Sequence, residues 1–207
     1  MSNARSTQNV WLHATCGLLA LAPVCAAADT IDTAGQAPHE RCGYCHEADG
    51  NPRMDGFPRL AGQTTDYLSK QLRDFRSGRR TGTMNATAEL LSDDDIEEVA
   101  RYFNAQPPRP IPIDLAAAQR HSASRLHREG DAARGIPACG SCHGAAAEGR
   151  GDVPRLAGQH AAYLKTQLRA FKRGARANDT GGVMRAVAKH ATDAELDALA
   201  HYFASLD

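Results

Sequence analysis

Apolar side chains recur at helical spacing along this chain, and they do so twice. Tyr67, Leu68, Gln71, Leu72 and Phe75 share one face of a helix expected from Thr65 onward. Gly78 follows its last turn, where a left-handed C′ residue stops a helix. Tyr163, Leu164, Gln167, Leu168 and Phe171 repeat that face. A second apolar stripe, Ile96, Val99 and Phe103, returns as Leu196, Leu199 and Phe203. Each copy sits behind a capping-box signature, Ser92-x-x-Asp95 and Thr192-x-x-Glu195. Further helices are expected ahead of Cys42 and of Cys139. Residues 115–129 leave room for the second, whereas Pro38 leaves only a short stretch for the first. No run alternates apolar and polar residues as a half-buried strand does, so the chain reads as all-α.

The repetition extends beyond these helices. Pro58-Arg59-Leu60-Ala61-Gly62-Gln63 recurs as Pro154-Arg155-Leu156-Ala157-Gly158-Gln159, and Tyr102-Phe103 as Tyr202-Phe203. The offset is 96 residues at the prolines and 100 at Met84 and Met184, so the second copy gains four residues between Gly174 and Met184. A period this long marks a duplicated domain rather than a solenoid unit. Four prolines in residues 106–112 interrupt any helix between the copies and favour a stiff, extended linker. The expected organisation is a leader over 1–28, a first domain over 29–105, a linker over 106–114 and a second domain over 115–207.

The six cysteines carry the chemistry. Four form two Cys-x-x-Cys-His motifs, Cys42 and Cys45 with His46, and Cys139 and Cys142 with His143. This pentapeptide is the attachment site of c-type haem: both thiols bond to the porphyrin and the histidine becomes an axial ligand. Two copies imply two covalently bound haem c groups. Zinc would need four ligands drawn from both copies, and the repeat argues that the copies are separate domains. A thioredoxin-like dithiol would sit beside a βαβ pattern that is absent. Cys16 and Cys25 lie in a leader-like segment with Arg5 ahead, a short apolar stretch over 16–24, and Ala26-Ala27-Ala28 as a cleavage site. That stretch is too short to span a bilayer, and no transmembrane helix is expected in the mature chain. Export to the periplasm fits haem attachment outside the cytoplasmic membrane. Each domain has fewer than a hundred residues and few aromatics, so haem is expected to supply part of its core.

His46 and His143 are the fifth ligands by motif. Beyond the leader only Met54, Met84 and Met184 are available as methionine ligands. Met84 and Met184 occupy equivalent places, 38 and 41 residues after their histidines, and are the expected sixth ligands. Met54 has no counterpart and reads as a loop or packing residue; His190 is the competitor for the second iron. His/Met ligation raises a haem potential and fills both axial positions, which suits outer-sphere electron transfer. Pro58 and Pro154 are placed to accept the Nδ1–H of each histidine. Arg59 and Arg155, which follow them, are candidate partners for a propionate. Tyr67, Tyr163, Gln71 and Gln167 could line a haem edge, although core packing is the default for the tyrosines.

The chain is formally neutral, but its charge is divided. Residues 29–114 hold 10 Lys and Arg against 15 Asp and Glu, and residues 115–207 hold 13 against 9. Such asymmetry can orient docking. No basic patch with interleaved aromatics points to nucleic acid.

These motifs resemble the dihaem cytochrome c4 family over essentially the whole mature chain. The resemblance rests on the paired haem motifs, the repeated Pro-Arg-Leu-Ala-Gly-Gln, the Tyr-Leu-x-x-Gln-Leu helices, and Met84 and Met184 before the final helices. It implies two tandem class I cytochrome c domains with their haems facing across the interface. It further implies a periplasmic carrier, not an enzyme, that moves single electrons between respiratory donor and acceptor proteins toward a haem–copper terminal oxidase. Loose association with the inner membrane is also implied. Two other classes compete: a dihaem peroxidase or sulfur-compound oxidoreductase with an open iron, and a haem subunit of a dehydrogenase complex. Met84 and Met184 count against an open iron.

Overall fold

The structure is a computed structural model and describes residues 35–109 and 117–207. The expected leader over 1–28 and most of the proline-rich linker lie outside the described residues.

Each half is a small helical cluster. The first contains α1 (Pro38–His46), α2 (Thr65–Arg76), α3 (Met84–Glu89) and α4 (Asp93–Asn104). The second contains α5 (Ala117–Arg128), α6 (Gly140–His143), α7 (Ala161–Lys172), α8 (Val183–His190) and α9 (Asp193–Ala204). No named strand occurs among the described residues; two isolated bridges tie turns of the second half. In the first half α4 packs on α1 and α2, and in the second α9 packs on α5 and α7. The cores follow the repeated stripes. Leu68, Leu72, Ile96, Val99 and Phe103 bury together in one, and Leu164, Leu196, Leu199 and Phe203 in the other.

Local chemistry sets the ends of these helices. Ser92 and Thr192 accept the backbone N–H of Asp95 and Glu195, whose carboxylates reach back to the cap N–H, so both expected capping boxes form. Gly78 and Gly174 close α2 and α7 at φ of 74° and 71°, which spares the steric penalty a Cβ would bring. Helix α1 differs from the expectation of a short segment ending before the cysteines. With Pro38 in its first turn, it runs straight through Cys42 to His46. In the second half the turn over 131–136 separates α5 from the motif helix α6.

Arg134 anchors that turn to α9. Its guanidinium holds Glu195 in two bonds of 2.7 and 2.9 Å and Asp131 in one of 2.8 Å. The Arg134 bonds push the Glu195 carboxyl down to about 2. A lowered carboxylate pKa gives stability that is complete above the unfolded value and lost as pH falls toward the folded one. The second half should therefore lose stability between about pH 4.5 and 2. Glu195→Gln should melt lower at pH 7 and show a shallower decline across that window. Thermal melts at stepped pH check this, and parallel curves for the two proteins would count against it.

Candidate haem sites and the interface between the halves

The two motif histidines are held alike. His46 Nδ1 lies 2.9 Å from the Pro58 carbonyl, and His143 Nδ1 lies 2.9 Å from that of Pro154. A carbonyl only accepts, so each Nδ1 carries the proton and each Nε2 keeps its lone pair. Burial lowers both imidazole pKa values against the opposing pull of the carbonyl bond, which keeps the rings neutral. A neutral imidazole with a fixed tautomer is what an iron ligand requires.

In the second half His143, Met184, Cys139 and Cys142 all line one apolar crevice. Leu168, Val187 and Phe203 are among its walls. In the first half Met84 and Cys42 pack against the same core cluster, with Leu60 beside them. As free thiols, before haem attachment, Cys42 and Cys139 are pushed up to about 11 by burial. Met184 and Met84 each stand in the first turn of a short helix, α8 and α3. Met54 is an exposed loop residue rather than a packing one, and His190 is exposed at the end of α8, away from the crevice lining.

Two further histidines perform a role that the repeat concealed. His39 stacks on Tyr102 at 3.8 Å between ring centroids, and His127 packs edge-on against Phe203 at 5.3 Å. Each thus fixes the first helix of its half on the Tyr-Phe pair of the last. They lack sequence partners because the spacing between first helix and motif differs in the two halves.

The halves meet through the repeated hexapeptide and through α2 and α7. Gln63 accepts from the backbone N–H of Arg155 at 2.7 Å and donates to its carbonyl at 3.0 Å. Gln159 treats Arg59 in the same way, at 2.8 and 3.0 Å. Thr64 precedes α2 without capping it, and its hydroxyl is turned to donate to the Gly151 carbonyl of the other half. His160, at the matching position, bonds the Pro52 carbonyl at 2.8 Å.

The tyrosines are not simple packing residues. Arg80 donates to Gln71 and across the interface to the Tyr163 hydroxyl and Gln167, each at 2.9 Å. Arg176 donates to Gln167 at 2.8 Å and across to the Tyr67 hydroxyl and Gln71, both at 3.0 Å. Each guanidinium also lies 4.5 Å from a phenylalanine ring centroid, that of Phe75 or Phe171. Two cations therefore share two neutral amide oxygens while being only 9 % and 8 % exposed. Among the described residues neither has a carboxylate at ion-pair distance. Asp179, which acts on Arg176 through space, is bonded to Arg185. Burial would raise the Tyr67 phenol, but Arg176 and Arg80 outweigh it and hold it below its ordinary value. Sequence reasoning missed this pair. The signal lay two residues after Gly78 and Gly174, where arginine recurs as Arg80 and Arg176 at the 96-residue offset.

Comparison with known proteins decides the family. Residues 131–207 match the family described as cytochrome c, and residues 31–103 match cytochrome c oxidase, cbb3-type, subunit III. Cytochrome c4 of Azotobacter vinelandii is 36 % identical over 210 residues, covering 95 % of this chain and 97 % of that protein. The chain belongs to the cytochrome c4 family. The crystal structure of reduced recombinant cytochrome c4 from Pseudomonas stutzeri superimposes with a TM-score of 0.76 at 36 % identity. It covers 83 % of this chain and 97 % of that one. A thiosulfate dehydrogenase electron acceptor of Stutzerimonas stutzeri is 42 % identical over 169 residues, covering 80 % of this chain and 78 % of that protein. As a cytochrome c4 the protein consists of two class I cytochrome c domains with two covalent haem c groups, and it transfers electrons. The residues present fit that cofactor. Among the described residues the crevice is apolar, neither guanidinium of the Arg80–Arg176 pair has a carboxylate at ion-pair distance, and the buried Nε atoms of Arg59 and Arg155 have no hydrogen-bond partner. The crevice would take an apolar ring, and the unpaired guanidinium N–H groups would suit propionates. No helix among the described residues is long and apolar enough to cross a membrane.

Proposed function

We propose that this protein is an exported periplasmic carrier that passes single electrons between respiratory partners, toward a terminal oxidase. In this reading Cys42, Cys45, Cys139 and Cys142 form the thioethers. His46 with Met84, and His143 with Met184, are the axial pairs. The observation that carries it is the convergence of His143, Met184 and both cysteines on one apolar crevice, with neutral histidines of fixed tautomer in both halves. Each haem supplies a one-electron iron couple when bound. The chain's residues do the rest. Pro58 and Pro154 orient the imidazoles, Met84 and Met184 complete the coordination, and the apolar walls exclude water. Arg59, Arg80, Arg155 and Arg176 offset the propionates. With Met84 and Met184 as ligands neither iron would offer an open position to peroxide, which argues against the enzyme reading.

A second reading concerns the donor. The 42 % identity to a thiosulfate dehydrogenase electron acceptor favours such an enzyme as the source of electrons. Both readings predict two low-spin haems per chain, each with the weak far-red sulfur-to-iron band, and negligible peroxidase turnover. Haem quantification with magnetic circular dichroism of the ferric protein tests this. A high-spin or bis-histidine component would reject the ligand assignment, and rapid peroxide turnover would reject the carrier. Rapid reduction by purified thiosulfate dehydrogenase would select the second donor.

A further inference from the structure

The loop that leads to Met184 is held from the opposite half of the molecule. Asn178 donates its amide N–H groups to Gln71 at 2.9 Å and to the Asp74 carboxylate at 2.7 Å. Its own carbonyl accepts from Lys70 at 2.6 Å, and its side-chain oxygen accepts from Arg176 at 3.0 Å. Gln71, Asp74 and Lys70 all belong to α2 of the first half. The next residue, Asp179, takes the backbone N–H and the guanidinium of Arg185, at 3.0 and 2.8 Å, and Arg185 directly follows Met184. A short path of hydrogen bonds therefore runs from α2 of one half to the turn that presents the methionine of the other.

The arrangement has no mirror image. Asp74 and Lys70 correspond to Ala170 and Thr166, and Asn178 lies in the segment that only the second half possesses. The Met84 loop is held by Asn85, which bonds Gly82, Phe75 and Arg80 within its own half, and it reaches the other half through the Arg80 side chain, the counterpart of Arg176 rather than of Asn178. Asp74 is 2 % exposed and receives Lys70, Asn178 and Arg79. Removing one donor from so buried a carboxylate forfeits a charge-assisted bond and leaves the group undersatisfied.

We propose that Asp74, Lys70 and Gln71, acting through Asn178, position the loop that carries Met184. The first half thereby sets how firmly the second half's sulfur ligand is held, through Asn178 contacts that add to the mutual Arg80 and Arg176 bonds and have no counterpart in the first half. The inference rests on the reading of Met184 as an axial ligand. The test uses holoprotein in a Met84→His background, where only Met184 can contribute the far-red band, with imidazole as the competing ligand. Asn178→Ala and Asp74→Ala, each with haem content and helical circular dichroism at the parental level, should lose the band at about tenfold lower imidazole. Asn85→Ala should leave that titration unchanged. Parental imidazole affinity in both variants would overturn the proposal. An effect of Asn178→Ala without one of Asp74→Ala would overturn the part assigned to Asp74. Absence of the band in the parental Met84→His protein would instead reject Met184 as a ligand.

Discussion

Met184→Ala should lower the potential of one haem by on the order of 0.1 V or more and leave the other wave nearly in place. The thioether is a neutral, soft donor that stabilises ferrous over ferric iron. Replacing it by alanine removes that preference and opens the apolar crevice to water at the iron. The far-red band should fall by half, and a high-spin signature should appear for one haem of the two. Met84→Ala should do the same to the other haem, because Met84 stands in the first turn of α3 as Met184 does in that of α8. Spectroelectrochemical titration with both waves resolved reads the result. Two unshifted waves would sink the axial assignment of the methionine removed.

The second large effect is expected at the interface. Arg176→Gln should lower at least one potential by tens of millivolts, since a unit charge in a protein interior acts at about 1–4 kcal/mol over short range at an effective dielectric near 20. The sign follows from charge alone. A nearby cation stabilises the reduced, less positive iron centre, so its loss favours the oxidised one. Arg80→Gln should act in the same direction, because the two guanidiniums share Gln71 and Gln167. Arg176→Lys keeps the charge but not the fork that reaches Gln167, Tyr67 and Gln71 together, so its potentials should stay closer to the parent while its melting temperature falls. Unchanged potentials in both glutamine variants would show that these cations do not act on the haems.

The sequence carries the helices well because their determinants are local. A capping box needs only Ser92 and Asp95, or Thr192 and Glu195, and the apolar stripes need only their spacing. The family likewise follows from motifs a few residues long. The first helix was less legible, because Pro38 reads as a limit on a helix when it is in fact the start of one that contains the motif. Interface residues were hardest to read. Gln63 and Gln159 are visible as repeated letters, but nothing local says that each serves the backbone of the other half. Asn178 lies where the repeat breaks, so comparison of the halves could not find it. Its role comes from contact with residues more than a hundred positions away.

The glutamine exchange has one more consequence. Gln63 serves Arg155 while Gln159 serves Arg59, which is the isologous contact of a two-fold dimer, here built within one chain. The covalent connection turns what would be a bimolecular association into an intramolecular one at roughly millimolar effective concentration. The tether thus makes closure of the pair independent of protein concentration. It also frees the two copies to diverge, since a change such as Ala170 for Asp74 is made on one side only. The protein behaves as a symmetric dimer in its scaffold and as a heterodimer in its electrostatics.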